Sequence, residues 1–211
     1  MLLKKEASAE PRKLKKPFER DIYQIFGQTG TGKSQFTKRK IKEAKRVLVI
    51  DPQDEYCGIQ HFDSIDEIKE HIEKNPKVFR IGVSDLRLFD ECCDLIACCP
   101  SSLLVVEESQ RVIPPTGRPP ESFEDLIYRG RHSGTSILLV AQRPTTVNIA
   151  VRSQWNYLIS FRQTERRDIG WIEDVTGYEI EEEIRNLEVM EYIEINRDGY
   201  EKKKLAGGFV K

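Results

Sequence analysis

Residues 27–34 read GQTGTGKS. Gly27, Gly30 and Gly32 alternate with small polar residues, which lets the backbone curl until successive N–H groups face inward on an anion. Lys33 is then placed for the β- and γ-phosphates of a nucleotide, and the Ser34 hydroxyl for Mg²⁺. Thr29, Thr31 and Gln35 complete the ATP-binding set expected here. The flanks satisfy the structural requirement of such a loop. IYQIF, residues 22–26, reads as a strand, and a helical pattern runs from Lys33 to about Ala44, bringing the positive end of its dipole to the same point.

Beyond this loop, apolar runs alternate with helical patterns, as in a parallel sheet covered on both faces. VLVI (47–50), VFRIGV (78–83), LLVV (103–106), ILLV (137–140) and YLISF (157–161) read as strands. A helix starts at Ser64, where Ser64 and Glu67 form a capping box and Ile65, Ile68 and Ile72 share one face. LFDECCDLIACC follows the third strand as a helix, Phe123–Arg129 makes a short one, and two acidic stretches run from Arg166 to about Leu187. The chain closes on VMEYIEINRDGYEKKKL, a hairpin pattern about Asp198-Gly199. The fold expected is α/β: a three-layer P-loop NTPase sandwich with a mostly parallel sheet and a C-terminal hairpin.

At 211 residues, with 38% hydrophobic and 33% charged, the chain suits one sizeable domain. A formal net charge of −1 excludes a bulk basic field, so any nucleic-acid contact must come from local clusters. One such cluster is residues 1–20, where Lys4, Lys5, Arg12, Lys13, Lys15, Lys16 and Arg20 outnumber Glu6, Glu10 and Glu19. Broken by Pro11 and Pro17, it reads as a flexible basic arm ahead of a single domain over 21–211. The opening has no apolar segment of a signal peptide, and no run is long enough to span a membrane. Cys92 and Cys99, about 10.5 Å apart along a helix axis, are too far apart to bridge. With Cys57, Cys93 and Cys98, they are expected to be reduced, buried small hydrophobes.

Two further features carry chemistry. Glu107 and Glu108 directly follow LLVV, so they reach the phosphate loop if that strand neighbours the first one. Glu107 then joins Ser34 at the Mg²⁺ shell, and Glu108 polarises the attacking water. Gln142, at the tip of ILLVAQRP, is placed to bond both the γ-phosphate and that water.

In order and spacing, GQTGTGKS, VLVIDPQDEY, LLVVEESQ, RGRHSG and ILLVAQRP resemble the FtsK–HerA superfamily of DNA-pumping ATPases, from about Ile22 to Leu187. VLVIDPQDEY is closest to the HerA branch, and the compact size is similar to genome-packaging ATPases of icosahedral viruses with internal membranes. The resemblance implies an additional-strand, catalytic-glutamate ATPase acting as a homo-oligomeric ring, a hexamer, with ATP and Mg²⁺ between subunits. It also implies an arginine supplied by the neighbouring subunit. Arg131, three residues before Gly134, matches the family's position, with Arg129 and then Arg143 as alternatives. The Glu at position 107, where many relatives carry Asp, leaves direct and water-mediated Mg²⁺ contact both open.

The function implied is a motor that moves double-stranded DNA into a viral capsid, in the host cytoplasm or on the virion, with capsid or portal-vertex proteins as candidate partners. The proline-rich loop Val112–Pro120 carries Arg118 and would touch DNA phosphate without regard to sequence. Two rivals use the same loop: an ATP-dependent protein assembly or export factor, and a small-molecule kinase. Glu108 argues against the kinase, since it favours water as the nucleophile.

Overall fold

The computed structural model describes residues 20–206, so the expected basic arm lies outside the described residues except for Arg20. Among these residues, nine strands form one sheet: β1 (Ile22–Phe26), β2 (Arg46–Ile50), β3 (Gln60–His61), β4 (Phe79–Val83), β5 (Leu103–Val106), β6 (Ser136–Ala141), β7 (Tyr157–Ser160), β8 (Glu191–Asn196) and β9 (Gly199–Lys204). Their order is β3-β4-β2-β5-β6-β1-β7-β8-β9. The first seven pair in parallel, and β8 and β9 add an antiparallel edge.

Alternate residues of each strand feed two cores, which is why the central strands read as unbroken apolar runs. Leu48 and Ile50 face one core and Val47 and Val49 the other. Helices α2 (Ile65–Lys74), α3 (Phe89–Ala97), α4 (Glu121–Arg129), α5 (Arg166–Thr176) and α6 (Glu181–Arg185) close the first core. Helix α1 (Lys33–Glu43) covers the second through Phe36 and Ile41. The sandwich is therefore lopsided. Arg80, reaching across from β4, donates to the carbonyls of Ile41, Lys42 and Ala44 and closes the C-terminal end of α1.

The expected elements form, with local shifts. Ser64 caps α2 by accepting from the Glu67 N–H, and Ile68 is buried on the face shared with Ile65 and Ile72. The hairpin turn lies one residue earlier than expected, because Asn196 pairs with Gly199 and its side chain accepts the N–H groups of both Asp198 and Gly199. Strand β3 was invisible in the sequence because two residues show no period. The strands β1 and β5 are not neighbours: β6 lies between them. The condition under which Glu107 and Glu108 would sit directly beside the phosphate-loop strand is therefore not met, and their reach spans the width of β6.

The cysteine expectation needs correcting. Only Cys92 and Cys93 are fully buried; α3 ends at Ala97, leaving Cys98 exposed and Cys99 half-buried, and Cys57 is exposed on a loop. Burial pushes the Cys92 thiol up to about 12 and raises Cys93 well above its ordinary value. A thiol-reagent titration of the native chain at neutral pH is expected to label Cys57 and Cys98 fast and to spare Cys92 and Cys93 until the protein unfolds. Rapid labelling of Cys93 would contradict this packing.

Candidate functional site

Because β1, β2, β5 and β6 run parallel, the loops leaving their carboxyl ends meet at one end of the sheet. Residues 27–34 occupy that end between β1 and α1. Gly27 has φ 156°, and a Cβ there would stand 2.5 Å from the Phe161 Cβ, so no side chain fits. Gly32, φ 127°, is pressed between the Phe161 ring and Met190 in the same way. Gly32 caps α1 without any side-chain hydrogen bond, which leaves the first-turn N–H groups to an anion. The Thr31 hydroxyl is used inside the loop, donating to the Gln28 carbonyl at 2.7 Å. Lys33 Nζ donates to the carbonyls of Gly27 (2.7 Å) and Gln28 (3.1 Å). Burial lowers the Lys33 pKa, while Glu107, Glu55 and Glu108 oppose that shift through their charge.

Both expected acids reach this end. Glu107 is buried, and its carboxylate accepts from the Tyr56 hydroxyl. Burial raises its pKa to about 7, against the Tyr56 hydrogen bond and the Lys33 charge. Glu108 takes a left-handed conformation, φ 45° and ψ 50°, which turns its side chain away from the strand. There it accepts from Gln53 Nε2 at 2.6 Å and from Arg111 Nη1 at 3.4 Å. Ser34 donates its hydroxyl to Glu55 Oε2 at 2.8 Å. Ser34 and Glu107 thus offer hard oxygen donors at this end of the sheet, Glu107 as a buried carboxylate. These features fit Mg²⁺. Ser34 and Glu107 would hold the ion, and with ATP bound it would supply positive charge to offset the negative charge of the phosphates.

Gln142 follows Ala141, which pairs with Phe26, so it stands level with Gly27. It lines a cavity of about 390 Å³ with Gln28 and Thr29 of the loop and with Arg143, Gln163, Glu165 and Asp168. Arg143 is tied within its own chain to buried Asp168 at 2.9 Å. Arg129 and Arg131 are not brought to this end. They flank the turn Gly130–His132 that leads into β6, next to Arg20 ahead of β1, so both lie beyond the amino ends of the parallel strands. A five-residue strand spans about 17 Å, more than an arginine side chain covers. Both arginines are exposed, and Arg129 pairs with Asp125 at 3.2 Å.

Residues 23–128 match the family described as Helicase HerA, central domain, which is half of the chain. The chain belongs to this HerA family. It is accordingly a P-loop ATPase of the FtsK–HerA kind. A search of the curated proteins finds no match. Among solved structures, the genome-packaging NTPase B204 of Sulfolobus turreted icosahedral virus 2, in complex with AMPPCP, superposes with TM-score 0.75 at 18% identity, over 89% of this chain and 98% of that one. VirB4 of Thermoanaerobacter pseudethanolicus follows with TM-score 0.66 at 11% identity, over 88% of this chain and 89% of that one. The cytoplasmic domain of the Thermomonospora curvata type VII secretion ATPase EccC reaches 0.61 at 10% identity, over 91% of this chain but 24% of that one. Among the described residues, no helix is long and apolar enough to cross a membrane.

Sequence reasoning missed several residues of the HerA-family site. Gln53, Glu55 and Tyr56 contact Glu108, Ser34 and Glu107, and all three come from DPQDEY. The available signal was a polar run leaving a buried strand, but its partners lie 55, 21 and 51 residues away. Val189 and Met190 were also missed. They line the cavity beside Gly30–Gln35, and the Met190 N–H donates to the Thr31 carbonyl at 2.8 Å, tying the base of the hairpin to the phosphate loop.

Proposed function

We propose that this HerA-family ATPase works as a homo-oligomeric ring that translocates double-stranded DNA, as a viral genome-packaging motor. One observation carries the reading: the likeness to a viral packaging NTPase extends over 89% of this chain and 98% of that one, so the two correspond as whole domains. The placement of Arg129 and Arg131 supports the ring. They are out of reach of their own phosphate loop, so a role at a phosphate would require a second copy of the chain.

In this reading ATP lies on residues 27–35, with Lys33 on its β- and γ-phosphates and Ser34 and Glu107 holding Mg²⁺. Glu108 polarises the attacking water, and Gln142 senses the γ-phosphate. Arg131, or Arg129, enters from the next subunit to neutralise the charge that develops there. The chain contributes positioning and electrostatics. Arg118 stays exposed on its loop, paired with Glu124 at 2.7 Å, and would exchange that partner for DNA phosphate. Capsid or portal-vertex proteins would receive the ring.

The likeness to EccC favours a second reading, an ATP-driven protein export or assembly factor. ATPase rates with double-stranded DNA, with single-stranded DNA and without DNA separate the two. Several-fold stimulation by the duplex alone is expected. A rate indifferent to all DNA would remove the translocase reading and leave the export reading standing.

A further inference from the structure

The segment 51–56, DPQDEY, leaves β2 at the end of the sheet where the acids leave β5, because β2 and β5 are parallel neighbours. It is firmly anchored. The fully buried Asp51 accepts the N–H of Glu55 at 3.0 Å and that of Tyr56 at 3.1 Å, which fixes the backbone just where the side chains turn toward the phosphate loop. Glu55 itself is exposed, yet its carboxylate ends on the Ser34 hydroxyl at 2.8 Å. An unconstrained surface acid would not be held against a phosphate-loop residue by a backbone pinned from a buried aspartate.

A hydroxyl has one proton and two lone pairs. When the Ser34 proton is donated to Glu55, the lone pairs are left for a cation. We propose that Glu55 is a further member of the Mg²⁺ site, orienting the Ser34 hydroxyl as a ligand and adding a carboxylate charge beside it. The inference rests on the reading of Ser34 as a metal ligand. A carboxylate at this point has a second consequence. It repels the phosphates of metal-free ATP and attracts the metal complex, so it makes nucleotide binding depend on the ion.

The test uses the full chain bound to a non-hydrolysable ATP analogue, with Mn²⁺ titrated in and followed by EPR, and with affinity for the analogue also measured without metal. Outer-shell partners of metal ligands are worth about 10–100-fold in metal affinity. Glu55→Ala is expected to weaken Mn²⁺ binding within that range. Glu55→Gln, which keeps an acceptor for Ser34 but not the charge, should lose less. Neither should lower the metal-free affinity for the analogue. Glu55 is exposed, so both variants should unfold at the native temperature. If Ser34→Ala weakens Mn²⁺ binding while both Glu55 variants bind it as the native chain does, the inference is overturned and the metal site stands. If Ser34→Ala also binds Mn²⁺ normally, the reading of the metal site itself has failed.

Discussion

Arg131→Ala is expected to bind ATP as the native chain does and to hydrolyse it about 10³–10⁵-fold more slowly, the range that arginines acting across subunits supply. Its placement motivates the expectation. Arg131 is exposed beyond the amino ends of the parallel strands, whereas residues 27–34 sit at their carboxyl ends, so no effect through its own subunit's phosphates is available. Losing an ordinary surface arginine changes little beyond a weak ion pair. The decisive measurement is complementation. Mixing Arg131→Ala with Glu108→Gln subunits should restore part of the activity, because a native glutamate in one subunit can then face a native arginine from the next. No rescue at any mixing ratio, with rescue instead when Arg129→Ala replaces Arg131→Ala, would keep the ring and move the arginine. Failure with both, in a protein that stays monomeric with ATP and DNA, would end the motor reading.

Glu108→Gln should retain ATP binding and lose about 10²–10⁴-fold in turnover, the usual contribution of a positioned general base. The amide keeps the shape and can still accept from Gln53, which holds Glu108 at 2.6 Å, so the left-handed turn at φ 45° has no reason to change. What is lost is the negative charge that polarises water. A purely structural acid at this half-buried position would tolerate the exchange. Native turnover in the variant would therefore transfer the role to Glu107 or Glu55, and the accompanying ATP affinity would show that the site itself had survived.

The phosphate loop was legible because its information is local. The positions of Gly27 and Gly32, followed by Lys33 and Ser34, constrain the backbone within a few residues whatever surrounds them. The central strands were legible for a similar reason: LLVV and ILLV are apolar at every position because both of their faces are buried. Periodicity and capping placed the start of α2 to within a residue.

Strand order is not local, and it was decided by tertiary packing alone. Nothing in LLVVEE says that β6 will insert between it and β1, since that depends on which apolar edges meet when the helices close over the sheet. The same limit hid the work of DPQDEY. Gln53, Glu55 and Tyr56 are ordinary polar residues along the chain, and they gain a role only because β2 and β5 pair in parallel and release their loops side by side. The sequence marked Arg129 and Arg131 through their spacing to Gly134, but their direction came from the sheet. Parallel strands put everything before β6 at one end and everything after β1 at the other, so a side chain at the first end can serve a phosphate loop at the second only in another copy of the chain.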